Sequence, residues 1–196
     1  VLFVEDNKAI AKLFEHLLEE EHNLKCDIVS TYEQATAKLS ADKDSYFLVI
    51  SGLVLPDASD GEMVSYCQEN NIPVIVLTST YSEETRKQIM EKTVFDYIIK
   101  RDQSYVDMLI RTIRRAVNNK RTPVLLVDDS SVFRKLMREI LSTQLFEIID
   151  TDDSKQALEI IKKREDIRLL ISDYDMPGLN GAQLTVEARK VRAVDS

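Results

Sequence analysis

The sequence predicts an α/β protein made of two doubly wound parallel-sheet domains, of which the second ends after its third helix. Two observations predict this fold class. Short motifs return in the same order about 120 residues later, and short apolar runs alternate with amphipathic segments throughout the chain. We place the two domains at residues 1–119 and 120–196.

Four landmarks of the first copy recur in the second. In the two copies they are the segments 4–7 and 127–130, the glutamines Gln34 and Gln156, the prolines Pro56 and Pro177, and the glycines Gly61 and Gly181. The separation falls by one residue at each landmark, from 123 to 120. Because order and spacing are both kept, the pattern indicates a duplicated domain with small loop deletions.

Strands and helices follow from the period of the apolar residues. In the first copy, the short apolar runs that predict buried parallel strands are 1–4, 26–29, 46–50, 74–77 and 95–99. Helical periodicity is clearest at 10–18 and 106–117, and Asn7, Thr31 and Ser82 stand where helix N-caps belong. The first copy therefore predicts five strands alternating with five helices.

The second copy repeats the strand and helix pattern three times before Ser196. By the length of the first copy, a full second domain would need about 45 further residues. We therefore expect the chain to be part of a longer protein.

Composition narrows the class of protein. The chain is 44% hydrophobic and 31% charged, and no apolar run reaches the roughly 18–20 residues that a membrane helix needs, so we expect a cytoplasmic protein. The net charge is -8 and neither domain has a basic excess, which argues against direct nucleic-acid binding. Cys26 and Cys67 lack metal-binding or redox spacing, and we interpret them as buried thiols.

Three aspartates of the second copy are predicted to meet at one edge of its sheet. Asp128 and Asp129 end the first strand, and Asp173 ends the third. In the flavodoxin-like strand order these two strands lie side by side where the order reverses. Three carboxylates without histidine or cysteine suit Mg²⁺, and a carboxylate beside this ion can act as a nucleophile towards phosphorus.

The residues around this predicted site resemble the receiver domains of bacterial two-component response regulators. The segments 125–130 (LLVDDS) and 170–181 (LISDYDMPGLNG) are similar to the two hallmark motifs of that family. The resemblance implies that Asp173 is the phosphoacceptor, that the acidic pair holds Mg²⁺ and that the main-chain carbonyl of Asp175 is a further metal ligand. It also implies phosphorelay signalling, with a histidine kinase or a phosphotransfer protein as donor.

By the same resemblance, the first copy has lost its phosphoacceptor. The residue four positions before Pro56 is Gly52, which has no nucleophile. The other matches to the family are the acidic pair Glu5 and Asp6, the hydroxyl of Thr78, the lysine Lys100, and the aromatic switch position at Tyr97. Strand alternation should turn Ser51 away from the site, and Asp57 and Asp60 fall in the following loop. The second copy's counterparts of Thr78 and Lys100 would lie beyond Ser196.

The role of this degenerate first site stays open at this point. The acidic pair and Lys100 could retain metal, form an ion pair across the old pocket, or persist without a function. Tyr97 fits simple packing as well as a switch. We expect the first domain to be a non-phosphorylated regulatory or interaction domain.

The resemblance favours an input module without independent turnover, which controls an output domain beyond the end of the chain. Receiver pairs of this kind resemble those placed before diguanylate cyclase domains, and a homodimer is left open. One alternative is an aspartate-nucleophile phosphatase, because Asp173 and Asp175 have the spacing of its nucleophile and general acid; in that class, however, the motif ends the first strand. A nucleotide-binding module lacks support because neither copy has a glycine-rich phosphate loop, and a purely structural adaptor remains the other alternative.

Overall fold

The computed structural model describes residues 1–21, 24–79 and 94–192. The chain divides into two compact units, Val1–Arg114 and Arg115–Ser196. Each unit has its own parallel sheet, which confirms the predicted fold class. Helix α4 (Ser104–Lys120) runs across this division, so the domain boundary between residues 119 and 120 stays a prediction.

The first unit contains a five-stranded parallel sheet in the order β2-β1-β3-β4-β5. Its strands are β1 (Leu2–Val4), β2 (Asp27–Val29), β3 (Val49–Gly52), β4 (Val74–Thr78) and β5 (Asp96–Ile99). Its helices are α1 (Lys8–His16) with a π-helical turn at Leu17–Glu21, α2 (Tyr32–Ala41) with a 3₁₀ turn at Lys43–Ser45, α3 (Glu62–Glu69) and α4. All five predicted strands are present, although β3 begins three residues later than predicted.

Two of the predicted helix starts are confirmed by their hydrogen bonds. The Asn7 side chain accepts from the amides of Ala9 and Ile10, and the Thr31 side chain accepts from the amide of Gln34. These contacts satisfy amides that have no partner inside the helix. The predicted fourth helix, with its cap at Ser82, lies outside the described residues.

The second unit repeats the first part of this topology. Its strands are β6 (Val124–Val127), β7 (Ile148–Thr151) and β8 (Leu169–Ser172), in the order β7-β6-β8, and its helices are α5 (Ser131–Thr143), α6 (Ser154–Lys163) and α7 (Gly181–Val191). The registers also correspond, since Leu126 pairs with Asp150 in the second sheet as Phe3 pairs with Ile28 in the first. The predicted duplication is therefore present in the sheets as well as in the sequence.

Neither cysteine of the chain forms a disulfide in the structure. Cys26 and Cys67 are buried and free, and burial raises the pKa of both thiols to about 12. Both are therefore protonated and unreactive at neutral pH.

Among the helices of the described ranges, none combines the length and apolar character needed to cross a membrane.

Strand β8 is an edge strand within the part of the chain that the structure describes. It pairs with β6 on one side, and Leu169 is 40% exposed, whereas every residue of β6 is buried. Backbone groups on an open edge can pair with a strand of another chain.

We therefore expect the amides of Leu169–Ser172 to exchange faster than those of Val124–Val127 in dilute solution. Their protection should rise with protein concentration, because the edge then pairs with a second molecule. Hydrogen exchange at several concentrations, read together with the molecular mass, measures this. Strong protection of β8 in a monomer at every concentration would contradict the prediction.

Candidate functional site

The structure brings the three predicted aspartates of the second domain together. One carboxylate oxygen from each of Asp128, Asp129 and Asp173 lies within 4.8 Å of the others. The three side chains line a cavity of about 420 Å³ together with Phe133 and Ile171. Asp128 is only 4% exposed, whereas Asp129 and Asp173 are exposed to solvent. The site thus combines one buried carboxylate with two that are exposed to solvent.

Backbone amides hold two of these carboxylates. The amide of Ser130 donates to Asp128 Oδ1 at 2.8 Å, and the amide of Tyr174 donates to Asp173 Oδ1 at 2.7 Å. Each of these contacts uses one oxygen of its carboxylate. Three negative charges this close repel one another unless a cation lies between them, and hard carboxylate oxygens are the ligands that Mg²⁺ prefers. The donor set therefore fits a magnesium ion.

The loop after β8 is held at several points. The amide of Gly181 donates to the carbonyl of Tyr174 at 3.0 Å, and the amide of Leu179 donates to Ser154 Oγ at 3.1 Å. Ser154 is buried at the start of α6, so it ties the loop to a neighbouring helix. Asp175 is exposed in this loop, and the role of its main-chain carbonyl stays a prediction.

Gly181 packs directly under the candidate phosphoacceptor. A Cβ atom at this position would lie 2.3 Å from the carbonyl oxygen of Asp173, a distance that real Cβ atoms do not reach. The second domain therefore requires glycine here because the backbone approaches closely, and not because of an unusual backbone dihedral.

The first domain assembles a pocket of about 310 Å³ at the equivalent edge of its sheet. The predicted residues that line it are Glu5, Asp6, Gly52, Thr78 and Lys100. Lys100 Nζ lies 2.9 Å from Glu5 Oε2, and the Glu5 side chain is 3% exposed. Of the alternatives left open by the sequence, the structure shows the ion pair across the pocket. The ammonium group supplies positive charge beside the acidic pair.

The polar residues near Gly52 are engaged elsewhere. Ser51 is buried, is absent from the residues that line the pocket, and donates its hydroxyl to the carbonyl of Gly52. Asp57 accepts from the amides of Tyr32 at 2.8 Å and Glu33 at 3.0 Å, and these hydrogen bonds lower the pKa of its carboxyl. Asp57 therefore holds the start of α2.

Tyr97 is half-buried and packs against the apolar core of the first domain. This contact agrees with simple packing, and the switch role of Tyr97 stays a prediction.

Two contacts around the second site were missed by sequence reasoning. One is the bond from Leu179 to Ser154, and the other joins the guanidinium of Arg134 to the carbonyl of Asp128 at 2.6 Å. Both involve a main-chain partner, which leaves no residue pattern of its own. For Arg134 the comparison of the two copies offers a signal, because the equivalent position in the first copy is Ala11.

Comparison with known proteins identifies the family. The response regulator receiver domain family matches residues 1–111 and again 124–194. The chain belongs to this family. The second match includes residues 125–130 and 170–181, whose motifs resemble those of this family. Receiver domains of two-component response regulators are thus present twice.

Individual relatives agree with this assignment. The chain is 36% identical over 72 residues to a chemotaxis protein CheY homolog of Campylobacter jejuni, covering 36% of this chain and 52% of the relative. It is 36% identical over 67 residues to the two-component response regulator ORR5 of Oryza sativa, covering 34% and 50%. The chain thus spans about half the length of these curated relatives.

A solved structure named as a two-component system response regulator/GGDEF domain protein is 30% identical to this chain. The TM-score is 0.80, and the match covers 96% of this chain and 76% of the other. The similarity therefore extends over both receiver domains.

We predict that Gly181→Ala destabilises the second domain by about 1–3 kcal/mol, because the new methyl group must displace the carbonyl of Asp173. Gly52→Ala is the matched control: its Cβ would lie 3.3 Å from the carbonyl of Val54, a contact that small shifts relieve. We expect its stability to change by about 1 kcal/mol or less. Unfolding followed by circular dichroism compares the two variants, and equal losses would contradict the close approach at Gly181.

Proposed function

We propose that the second domain accepts a phosphoryl group on Asp173, with Mg²⁺ held by Asp128, Asp129, Asp173 and the main-chain carbonyl of Asp175. The observation that carries this proposal is the convergence of three carboxylates within 4.8 Å at the mouth of an open cavity. Membership of the receiver family supports it, because receiver domains are generally magnesium-dependent.

In the proposed reaction, Asp173 is the nucleophile of a substitution at phosphorus. A carboxylate oxygen attacks the phosphoryl group, the bond from phosphorus to the donor histidine nitrogen breaks, and its electron pair stays on that nitrogen. The exposure of Asp173 supports this role, because the donor is another protein and must reach the carboxylate. The metal ion, when bound, neutralises charge on the transferring group. The buried Asp128, oriented by the Ser130 amide, would be a preorganised ligand.

The first domain would serve as a non-phosphorylated regulatory or interaction domain. Gly52 offers no nucleophile, the Ser51 hydroxyl donates to the carbonyl of Gly52, and Asp57 accepts from the amide of Tyr32. The ion pair of Lys100 with Glu5 gives this pocket an internal cation, which disfavours the binding of a second one.

The partners follow from the family and from the long structural match. We propose a histidine kinase or a phosphotransfer protein as donor, and a cytoplasmic location. The likeness to a response regulator/GGDEF domain protein over 96% of this chain supports a diguanylate cyclase as the output domain.

Phosphate should label one residue. We expect Asp173→Asn to abolish labelling of the full-length natural protein by acetyl phosphate and Mg²⁺, because the amide is not a nucleophile. Asp175→Asn is the matched control: it keeps the main-chain carbonyl and should still be labelled. Label that persists in Asp173→Asn would contradict the assignment of the phosphoacceptor.

The same incubation separates the alternatives. A receiver accumulates a slowly hydrolysed phosphoprotein, whereas a phosphatase turns over many equivalents of acetyl phosphate and loses that turnover in Asp175→Asn, which removes its general acid. A structural adaptor does neither. Repeated turnover, or no phosphoprotein at all, would overturn the proposed function.

Metal binding should depend on the second domain. Asp129→Ala removes one of three carboxylate ligands, so calorimetry should show Mg²⁺ affinity reduced by more than about tenfold. Asp6→Ala removes the equivalent residue of the first domain, where Lys100 neutralises the pocket, and should leave the affinity unchanged. An equal loss in both variants would show that the first pocket also binds metal.

A further inference from the structure

Arg134, in the first turn of α5, contacts the acidic pair through the main chain. Its guanidinium donates to the carbonyl of Asp128 at 2.6 Å and, through Nε, to Asp150 Oδ2 at 3.2 Å. The side chain is 16% exposed, and that of Asp150 is 23% exposed. Asp152 lies further away, at 3.8 Å. Arg134 thus bridges the end of strand β6 to a carboxylate on strand β7.

The hydrogen bond from Arg134 to the Asp128 carbonyl also constrains Asp129, because the two residues share one peptide plane. The carbonyl of Asp128 and the amide nitrogen of Asp129 belong to one planar group. A hydrogen bond that fixes this carbonyl therefore fixes the direction in which the chain enters Asp129. The carboxylate of Asp128 has its own support from Ser130, so the two acids are held by different contacts.

The duplicated first domain provides an internal comparison. By the repeat and the strand register, Arg134 corresponds to Ala11 and Asp150 corresponds to Ile28. Both members of the bridge are therefore apolar in the copy that lacks a phosphoacceptor. Other features of the acidic pair are kept there, since the amide of Asn7 donates to Glu5 as that of Ser130 does to Asp128.

We propose that Arg134 is a positioning residue for the metal site: its bridge from the Asp128 carbonyl to Asp150 orients the peptide that carries Asp129. This inference rests on the proposed function, since it requires that the acidic pair binds Mg²⁺. Arginine suits the role because its rigid fork of donors makes both contacts at once, which a lysine ammonium does not reproduce.

The sign of the effect separates positioning from simple electrostatics. A cation near the site repels Mg²⁺, so removing Arg134 would strengthen metal binding if charge alone mattered. If Arg134 positions the ligand, its removal would instead weaken Mg²⁺ binding. Loss of a partner that orients a ligand typically weakens metal binding by about 10–100-fold. Asp150 keeps a partner in either case, because Arg138 also pairs with it.

The experiment measures Mg²⁺ affinity by calorimetry in the full-length natural protein and in its R134A, R134K and R138A variants. We expect R134A and R134K to bind about tenfold more weakly. R138A is the matched control, because it removes a cation paired with Asp150 that makes no contact with the Asp128 carbonyl; its affinity should be unchanged or slightly stronger. Circular dichroism at the titration temperature establishes that each variant is folded.

Affinity in R134K equal to or stronger than that of the unmodified chain would overturn the proposal, and R134K decides the question if R134A does not fold. An equal loss in R138A would also overturn it, because the effect would then belong to Asp150 and not to the peptide of Asp129. Absence of Mg²⁺ binding in the unmodified chain would instead refute the proposed function.

Discussion

Repulsion between carboxylates at the carboxyl ends of adjacent parallel strands is the constraint on which both sites depend. Strand β6 pairs with β8 so that Val127 lies opposite Ser172, and the residues that follow are Asp128 and Asp173. The fold itself therefore forces negative charges together, and Asp129 adds a third. A positive charge placed among the carboxylates reduces this repulsion. The number of carboxylates distinguishes the two domains, because Gly52 leaves only Glu5 and Asp6 in the first.

The two sites differ in the negative charge that they hold. In the second, three carboxylates open onto a solvent-accessible cavity, and this donor set fits a divalent cation. In the first, Gly52 removes one carboxylate and Lys100 supplies a covalently attached cation to the buried Glu5. This ion pair balances the charge of Glu5 within the first domain. The difference between the two sites agrees with the proposal that only the second domain accepts a phosphoryl group.

The repeat, the strand positions and the meeting of the three aspartates were predictable because parallel strands carry their functional residues at one edge. The starts of α1 and α2 were also predictable, because Asn7 and Thr31 are typical N-cap residues ahead of segments with helical periodicity. The pairing of Lys100 with Glu5 could only be left open, because a long side chain 95 residues away has several partners within reach. Asp57 was placed in a loop, but its bonds to the amides of α2 depend on how that loop folds back. The contact of Arg134 with the carbonyl of Asp128 depends on tertiary structure, and only the difference from Ala11 in the first copy marks the position in the sequence.

Energetics support the link that we propose between the bridge of Arg134 to Asp150 and the metal site. Removing an arginine and a carboxylate from water is costly, and well-packed apolar residues of similar volume often stabilise a fold as much or more. The first domain has Ala11 and Ile28 at these positions and still forms a five-stranded sheet, so the fold does not require the bridge. The partly buried charges in the second domain therefore need a reason other than stability. Orientation of Asp129 beside its two neighbouring carboxylates provides one, since a metal ligand must be held in place before the ion arrives.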